Sequence, residues 1–152
     1  MWRMAYVSPG WISQFSVKAL HDERISGMSK HGFHHSMDRY GISVNTDWLE
    51  LQWKNGLLLD EEHNTSIALM TNFSVHDASY EFGKSLYDVN QKNAYAQLMY
   101  ETDFSPSHNL SLGLSLHHDN CGQKLQLSQS LQGEEQYLLG VPVETVSGVY
   151  AQ

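Results

Sequence analysis

The chain is poor in the residues that would mark most small-protein chemistries. Cysteine occurs once, at Cys121. That excludes an internal disulfide and any zinc site built on several thiolates, and it leaves the redox compartment open. No apolar run approaches the ~20 residues that a transmembrane helix needs; Ile67 to Met70 is among the longest. Cations are few: nine Lys and Arg face 17 Asp and Glu, a formal net charge of -8. A nucleic-acid binder would show a basic face instead, so the acidity reads as a solvated surface. There is no phosphate loop, no dinucleotide fingerprint and no Gly-x-Ser-x-Gly elbow. Met1 to Tyr6 has no apolar core and no small-residue cleavage site, so no signal peptide is read there.

What the chain does have is alternation with a period of two, the signature of strands. In Asn109 to Asp119, Leu110, Leu112, Leu114 and Leu116 share one face, while Asn109, Ser111, Gly113, Ser115, His117 and Asp119 share the other. Tyr40 to Trp48 sets Tyr40, Ile42, Val44, Thr46 and Trp48 against Gly41, Ser43, Asn45 and Asp47. Thr65 to His76 sets Ile67, Leu69, Phe73 and Val75 against Ser66, Asn72, Ser74 and His76. Asn93 to Phe104 sets Ala94, Ala96, Leu98, Tyr100 and Phe104 against Gln97, Glu101 and Asp103. Trp11 to Leu20 is noisier, and a further strand starts near Thr145.

The connections are expected to alternate in length. His21 to Asp38 is long and polar. The next contains Asn55-Gly56, a turn dipeptide, but Leu57-Leu58-Leu59 extends the strand and places the true turn near 60–64. Asp77 to Lys92 reads as a long loop, Ser105-Pro106-Ser107-His108 as a tight turn, and Asn120 to Glu144 as a long loop. Strands joined by short turns are antiparallel, so the expected fold is all-β, an antiparallel up-and-down meander of about six strands. Strands of about 10 residues with short turns on one rim and long loops on the other describe a transmembrane β-barrel of the outer-membrane type. The mean hydropathy of -0.43 is compatible with this, because only every second residue would meet lipid. Trp48, Trp53, Phe73 and Phe104 are expected at strand ends, where aromatic rings suit a lipid interface. A soluble β-barrel or sandwich binding module would show the same alternation, its apolar face serving as a core.

Three segments carry a family resemblance. Tyr100-Glu101-Thr102-Asp103-Phe104-Ser105-Pro106-Ser107-His108-Asn109-Leu110-Ser111-Leu112-Gly113-Leu114 resembles a strand–turn–strand of TonB-dependent outer-membrane receptors. Val146-Ser147-Gly148-Val149-Tyr150-Ala151-Gln152 resembles that family's Gly-x-Tyr-x-Gln strand opening, and Arg39-Tyr40-Gly41 with Asn45-Thr46-Asp47-Trp48 another of its strands. The resemblance implies a barrel of about 22 strands around an N-terminal plug. It also implies import of a scarce nutrient (siderophore-iron, haem, cobalamin or a glycan) with energy passed from an inner-membrane protein. No plug, TonB box or closing aromatic strand is recognisable. The expectation is therefore one partial barrel domain over 1–152, an internal piece of a longer protein that would sit in the outer membrane and would not transport alone.

Candidate functional residues follow from that frame. Asn45, Asp47, Gln97, Glu101, Asp103, Asn109 and Ser111 are expected to face the lumen and the plug; Lys18 is expected to serve plug contact or ligand capture. His31, His34, His35 and His117 are candidates for ligand contact in the outer loops. Adjacent His34 and His35 point apart in an extended chain, as do His117 and His118, so no metal site is assigned. Asp60-Glu61-Glu62 lacks the spaced oxygens of a calcium loop. His21-Asp22-Glu23 with Ser13 or Ser16 does not amount to a hydrolase, and neither enzyme activity nor a cofactor is expected.

Overall fold

The computed structural model describes residues 1–27, 41–83, 85–105, 108–129, 133–139 and 143–152. They form one antiparallel sheet. Its strands are β1 (Trp2–Ser8), β2 (Trp11–Gly27), β3 (Gly41–Asp60), β4 (Thr65–Phe82), β5 (Ser85–Ser105), β6 (His108–Gln129), β7 (Gly133–Leu139) and β8 (Val143–Ala151). The order is sequential from β1 to β7, and β8 pairs with β6. The all-β meander read from the sequence is the observed fold, and the sheet does not close on itself.

The strands are much longer than the alternation suggested. β2 to β6 run 17 to 22 residues each, and their registers are continuous from end to end apart from irregularities at Leu58/Asp60 and Asp103/Ser105. The loop expected over Asp77 to Lys92 is instead a tight turn: Phe82 pairs with Ser85, and Gly83 takes φ 60°, a left-handed geometry that glycine adopts without steric cost. Asn55-Gly56 is no turn; both residues pair inside β3, opposite Leu69 and Ala68. The region Asn120 to Glu144 holds the upper part of β6 and all of β7 rather than one long loop.

β1 was not expected. Trp2, Met4 and Tyr6 alternate with Arg3, Ala5 and Val7, so apolar residues lie on both faces and hide the period. Pro9-Gly10 is the signal that marks the turn after it, and Gly10 there has φ 74°.

β7 and β8 lie one after the other along β6. Leu139 pairs with Gln123 and Val143 with Asn120. β8 is held by a close fit. The ring of Tyr150 covers Gly113, so that a β-carbon on Gly113 would overlap it. We expect Gly113→Val to free β8, with amide hydrogen exchange of β8 rising tenfold or more while β3 and β4 keep their protection.

Candidate functional site

Paired residues share a face of the sheet, and neighbours along a strand alternate. The registers therefore sort the side chains onto two surfaces. One carries a continuous apolar belt: Trp11, Phe15, Val17 and Ala19 on β2, then Leu49, Leu51, Trp53 and Leu57 on β3. It continues through Ile67, Leu69, Phe73 and Val75 on β4, Ala94, Ala96, Leu98 and Tyr100 on β5, and Leu110 to Leu116 on β6. Trp2, Met4 and Tyr6 extend it onto β1, and Val149 and Ala151 onto β8. Ser13, Asn55 and Thr71 interrupt it. The Trp53 indole N–H donates to Ser13 Oγ at 3.1 Å, and Thr71 donates to the Trp53 carbonyl at 3.5 Å.

The belt is open. Leu114 and Leu116 are about half exposed, at 54% and 50%. Among the described residues only Ser16, Gly41, Ala78, Thr102 and Gly113 are buried, and no large side chain is fully buried. A single sheet has no second layer to cover its apolar face.

The upper limit of the belt runs obliquely to the strands. On the belt face the first polar residue above it is Ser147 on β8, His118 on β6, Lys92 on β5, Asp77 on β4, Asp47 on β3 and His21 on β2. From β8 to β4 each strand moves the limit by one same-face position; from β4 to β2 it is level. Beyond this line Ile25, Leu86 and Val143 are isolated apolar residues among polar ones.

The opposite surface is a hydrogen-bonded polar field. Asn93 donates to Nε2 of His117 at 2.8 Å, and Gln91 donates to Asp119 at 3.0 and 3.2 Å. Tyr95 donates to Gln97 at 2.8 Å, and Ser111 to Asn109 at 3.3 Å. Asn72 donates to Glu50 at 2.8 Å, and Lys18 lies 3.9 Å from Glu50 and 3.8 Å over the Trp48 ring. Nothing in the sequence singled out Gln91, Asn93, Glu50 or Asn72. Their spacing is ordinary strand spacing, and only the register brings their partners opposite.

The seven residues expected on one polar face divide. Gln97, Glu101, Asp103, Asn109 and Ser111 lie together on the polar surface. Asn45 and Asp47 lie on the belt face, in register with Ser79 and Asp77. Ile42, Val44 and Trp48 are consequently on the polar surface, not on the belt. The cause is an exchange of polarity partway up the strands: above the belt its own face turns polar, while the other gains Val44, Ala78, Tyr80, Phe82, Tyr87 and Val89. Trp48 and Trp53 are inside β3 rather than at its ends.

His117 is on the polar surface, edge-on to the Tyr95 ring at 6.3 Å between centroids; His118 faces the other way and meets Thr145 at 2.9 Å. His31, His34 and His35 lie outside the described residues. Among those described, no group of three metal-ligating side chains converges. Asp60 does not face a cation site: it accepts from the Glu62 amide at 2.9 Å and pairs with His63 at 2.8 Å. Ser13 and His21 share a face eight residues apart on β2, a separation of about 27 Å, and Ser16 faces the other way.

Among the described residues three groups outside the belt have shifted titrations. Hydrogen bonds from Asn64 and Asn109 lower the Asp103 pKa. The His63 and Glu62 contacts lower that of Asp60. The hydrogen bond to Asp47, 2.6 Å long, and its charge raise the His21 pKa above the ordinary 6.5. A lowered carboxyl pKa contributes stability above the ordinary carboxylate range, and that contribution is lost as pH falls through the folded-state value. The raised histidine works the other way: its contribution is present below 6.5 and lost as pH rises through the folded-state value. Proton NMR should show His21 titrating above an exposed histidine, and Asp47→Asn should return it to the ordinary value. An unchanged midpoint in that variant would show the pair not to form.

No protein-family model matches this chain, and no curated protein matches it.

Proposed function

We propose that this chain is a section of the wall of a transmembrane β-barrel, its belt in contact with outer-membrane lipid and its polar surface turned to the lumen. The observation that carries the reading is a continuous, uncovered apolar belt on a single-layer sheet. In water such a face must be covered by protein; in a bilayer it is already at home, because a barrel alternates lipid-facing and lumen-facing residues along every strand.

The dimensions agree. Ile67 to Val75 spans about 27 Å along β4. The oblique limit climbs roughly 20 Å along the strands over the three spacings from β8 to β4 and is level from there to β2, a mean incline of about 40° over the ~24 Å across all five spacings. Barrel strands tilt by 35–45°. With that tilt the belt is about 21 Å tall, near the ~25 Å of a barrel's apolar band. A soluble sheet packed on a second layer has no reason to slant its apolar limit this way.

The finer assignment is to a TonB-dependent receptor, supported by the strand motifs around Tyr100 to Leu114 and Val146 to Gln152. In the full protein the lumen residues Gln97, Glu101, Asp103, Asn109 and Ser111 would hydrogen-bond a plug domain. An inner-membrane energy-transducing protein would drive uptake of a small nutrient. Strands that rise well beyond the belt suit such a receptor, since they build a vestibule outside the membrane.

The test is circular dichroism with partitioning, in buffer and in detergent micelles. The chain should aggregate in buffer and gain β-structure only in micelles. A monomer that folds cooperatively in plain buffer would replace this reading with a soluble binding module. In vesicles, Leu114→Arg should cost about 2–4 kcal/mol of folding stability, whereas Ser115→Arg, one residue on and facing the lumen, should cost well under half of that.

A further inference from the structure

The residues along the belt's upper limit are not mixed evenly in charge. On β2, β3 and β4 the belt face above the limit carries Glu23, Asp47, Asp77 and Glu81, with His21 bound to Asp47. On β5, β6 and β8 it carries Lys92, His118, Asn120 and Thr145, with Lys124 and Asp88 opposed to each other higher up. Lys92 pairs with Asn120, and Ala94 with His118, so Lys92 and His118 are diagonal neighbours, about 7–8 Å apart at Cα. Thr145 pairs with His118, and their side chains meet at 2.9 Å. With the threonine hydroxyl donating to Nδ1, the ring's own N–H is on Nε2. Lys92, the His118 ring and the Asn120 amide then supply donors on one face; the nearest carboxylate on that face, Asp77 of β4, is the other diagonal neighbour of Lys92 and accepts from Asn90. They stand immediately above Ala94 and Leu116, the last residues of the belt on β5 and β6.

We propose that this sector holds the phosphate of an anionic lipid headgroup whose acyl chains lie on the belt below. The inference rests on the membrane reading above and adds to it a lipid preference confined to β5, β6 and β8. A phosphate at this height meets an ammonium and neutral N–H donors; the same phosphate over β2 to β4 would meet carboxylates. Continuity with the apolar belt selects a lipid over a free anion, since only a lipid uses both surfaces.

The experiment uses the full chain refolded in neutral micelles with equal amounts of phosphatidylglycerol and phosphatidylcholine, followed by gel filtration and mass-spectrometric counting of retained lipid. The chain should retain phosphatidylglycerol about fivefold over phosphatidylcholine, the effect of one cation near the surface. Lys92→Gln, alone or with His118→Gln, should remove the preference, and Lys54→Gln on the lumen surface should not. Equal retention by the unaltered chain overturns the proposal, as does a preference that survives the double substitution. Displacement of the lipid by inorganic phosphate would assign the sector to free phosphate and overturn the lipid assignment. A chain that gains no β-structure in micelles defeats the membrane reading itself; a folded chain without preference defeats this inference alone.

Discussion

One layer of sheet has two faces and nothing between them. Every other feature of this molecule follows from that constraint. In a sandwich the apolar residues of one sheet are covered by another sheet about 10 Å away. Here Leu49, Leu69, Leu98 and Leu114 lie on a surface that no described residue covers, and burial among the described residues is confined to Ser16, Ala78, Thr102 and the glycines Gly41 and Gly113. The order in the sheet comes from its backbone ladder and from cross-strand pairs, not from a core. Such pairs are each worth a fraction of a kcal/mol, so the stability that the hydrophobic effect normally supplies must come from whatever covers the belt.

The exchange of polarity along the strands is the second consequence. A strand longer than the apolar belt passes through two environments, and the side chains on one face must suit both. β4 does this within one step: Val75 ends the belt and Asp77 begins the polar surface above it. Across the sheet, Ala78, Tyr80 and Phe82 take up the apolar role on the other face, with the Tyr80 and Phe82 rings parallel within 3° at 6.3 Å between centroids. A strand in a uniform environment would keep its phase throughout. On the proposed reading the lower half crosses lipid, the upper half stands in water, and the inner face of the upper half packs against whatever fills the mouth of the barrel.

This exchange also explains how far the fold could be read from the residues. Alternation in Thr65 to His76 and Asn109 to Asp119 was legible because those segments lie within the belt, where one face is apolar throughout. Ile42, Val44 and Trp48 alternate just as cleanly, but with the opposite phase, so their period alone places them with the belt while the register places them on the other face. Asp77 to Lys92 contains two strand halves in that inverted phase around Gly83, and read as a loop because acidic residues fill its belt-face positions. β1 hid behind apolar residues on both faces. Of the candidate site, Gln97 at mid-belt and the four residues near the lower rim are brought together by their period alone. The partners Asn93 for His117 and Asn64 for Asp103 depend on register across 24 and 39 residues of sequence, which no local pattern encodes.

The free edges set the last condition. Among the described residues β1 pairs only with β2, and β7 and β8 pair only with β6, so within them both margins of the sheet lack a further strand partner. In water such edges can bond to solvent and would invite further strands. In a bilayer each unsatisfied group costs several kcal/mol, and an open edge is not tolerated. The two demands made by this sheet are therefore linked. Covering the belt with lipid removes the cost of its exposed leucines and at the same moment makes the open edges untenable. On the proposed reading only a closed wall satisfies both, with further strands against β1 and against the β7–β8 margin. On the proposed reading, at a 40° tilt each added strand shifts the ladder by about 4 Å, a little over one residue, and strands of 17 to 22 residues leave ample overlap to carry that stagger around a circumference.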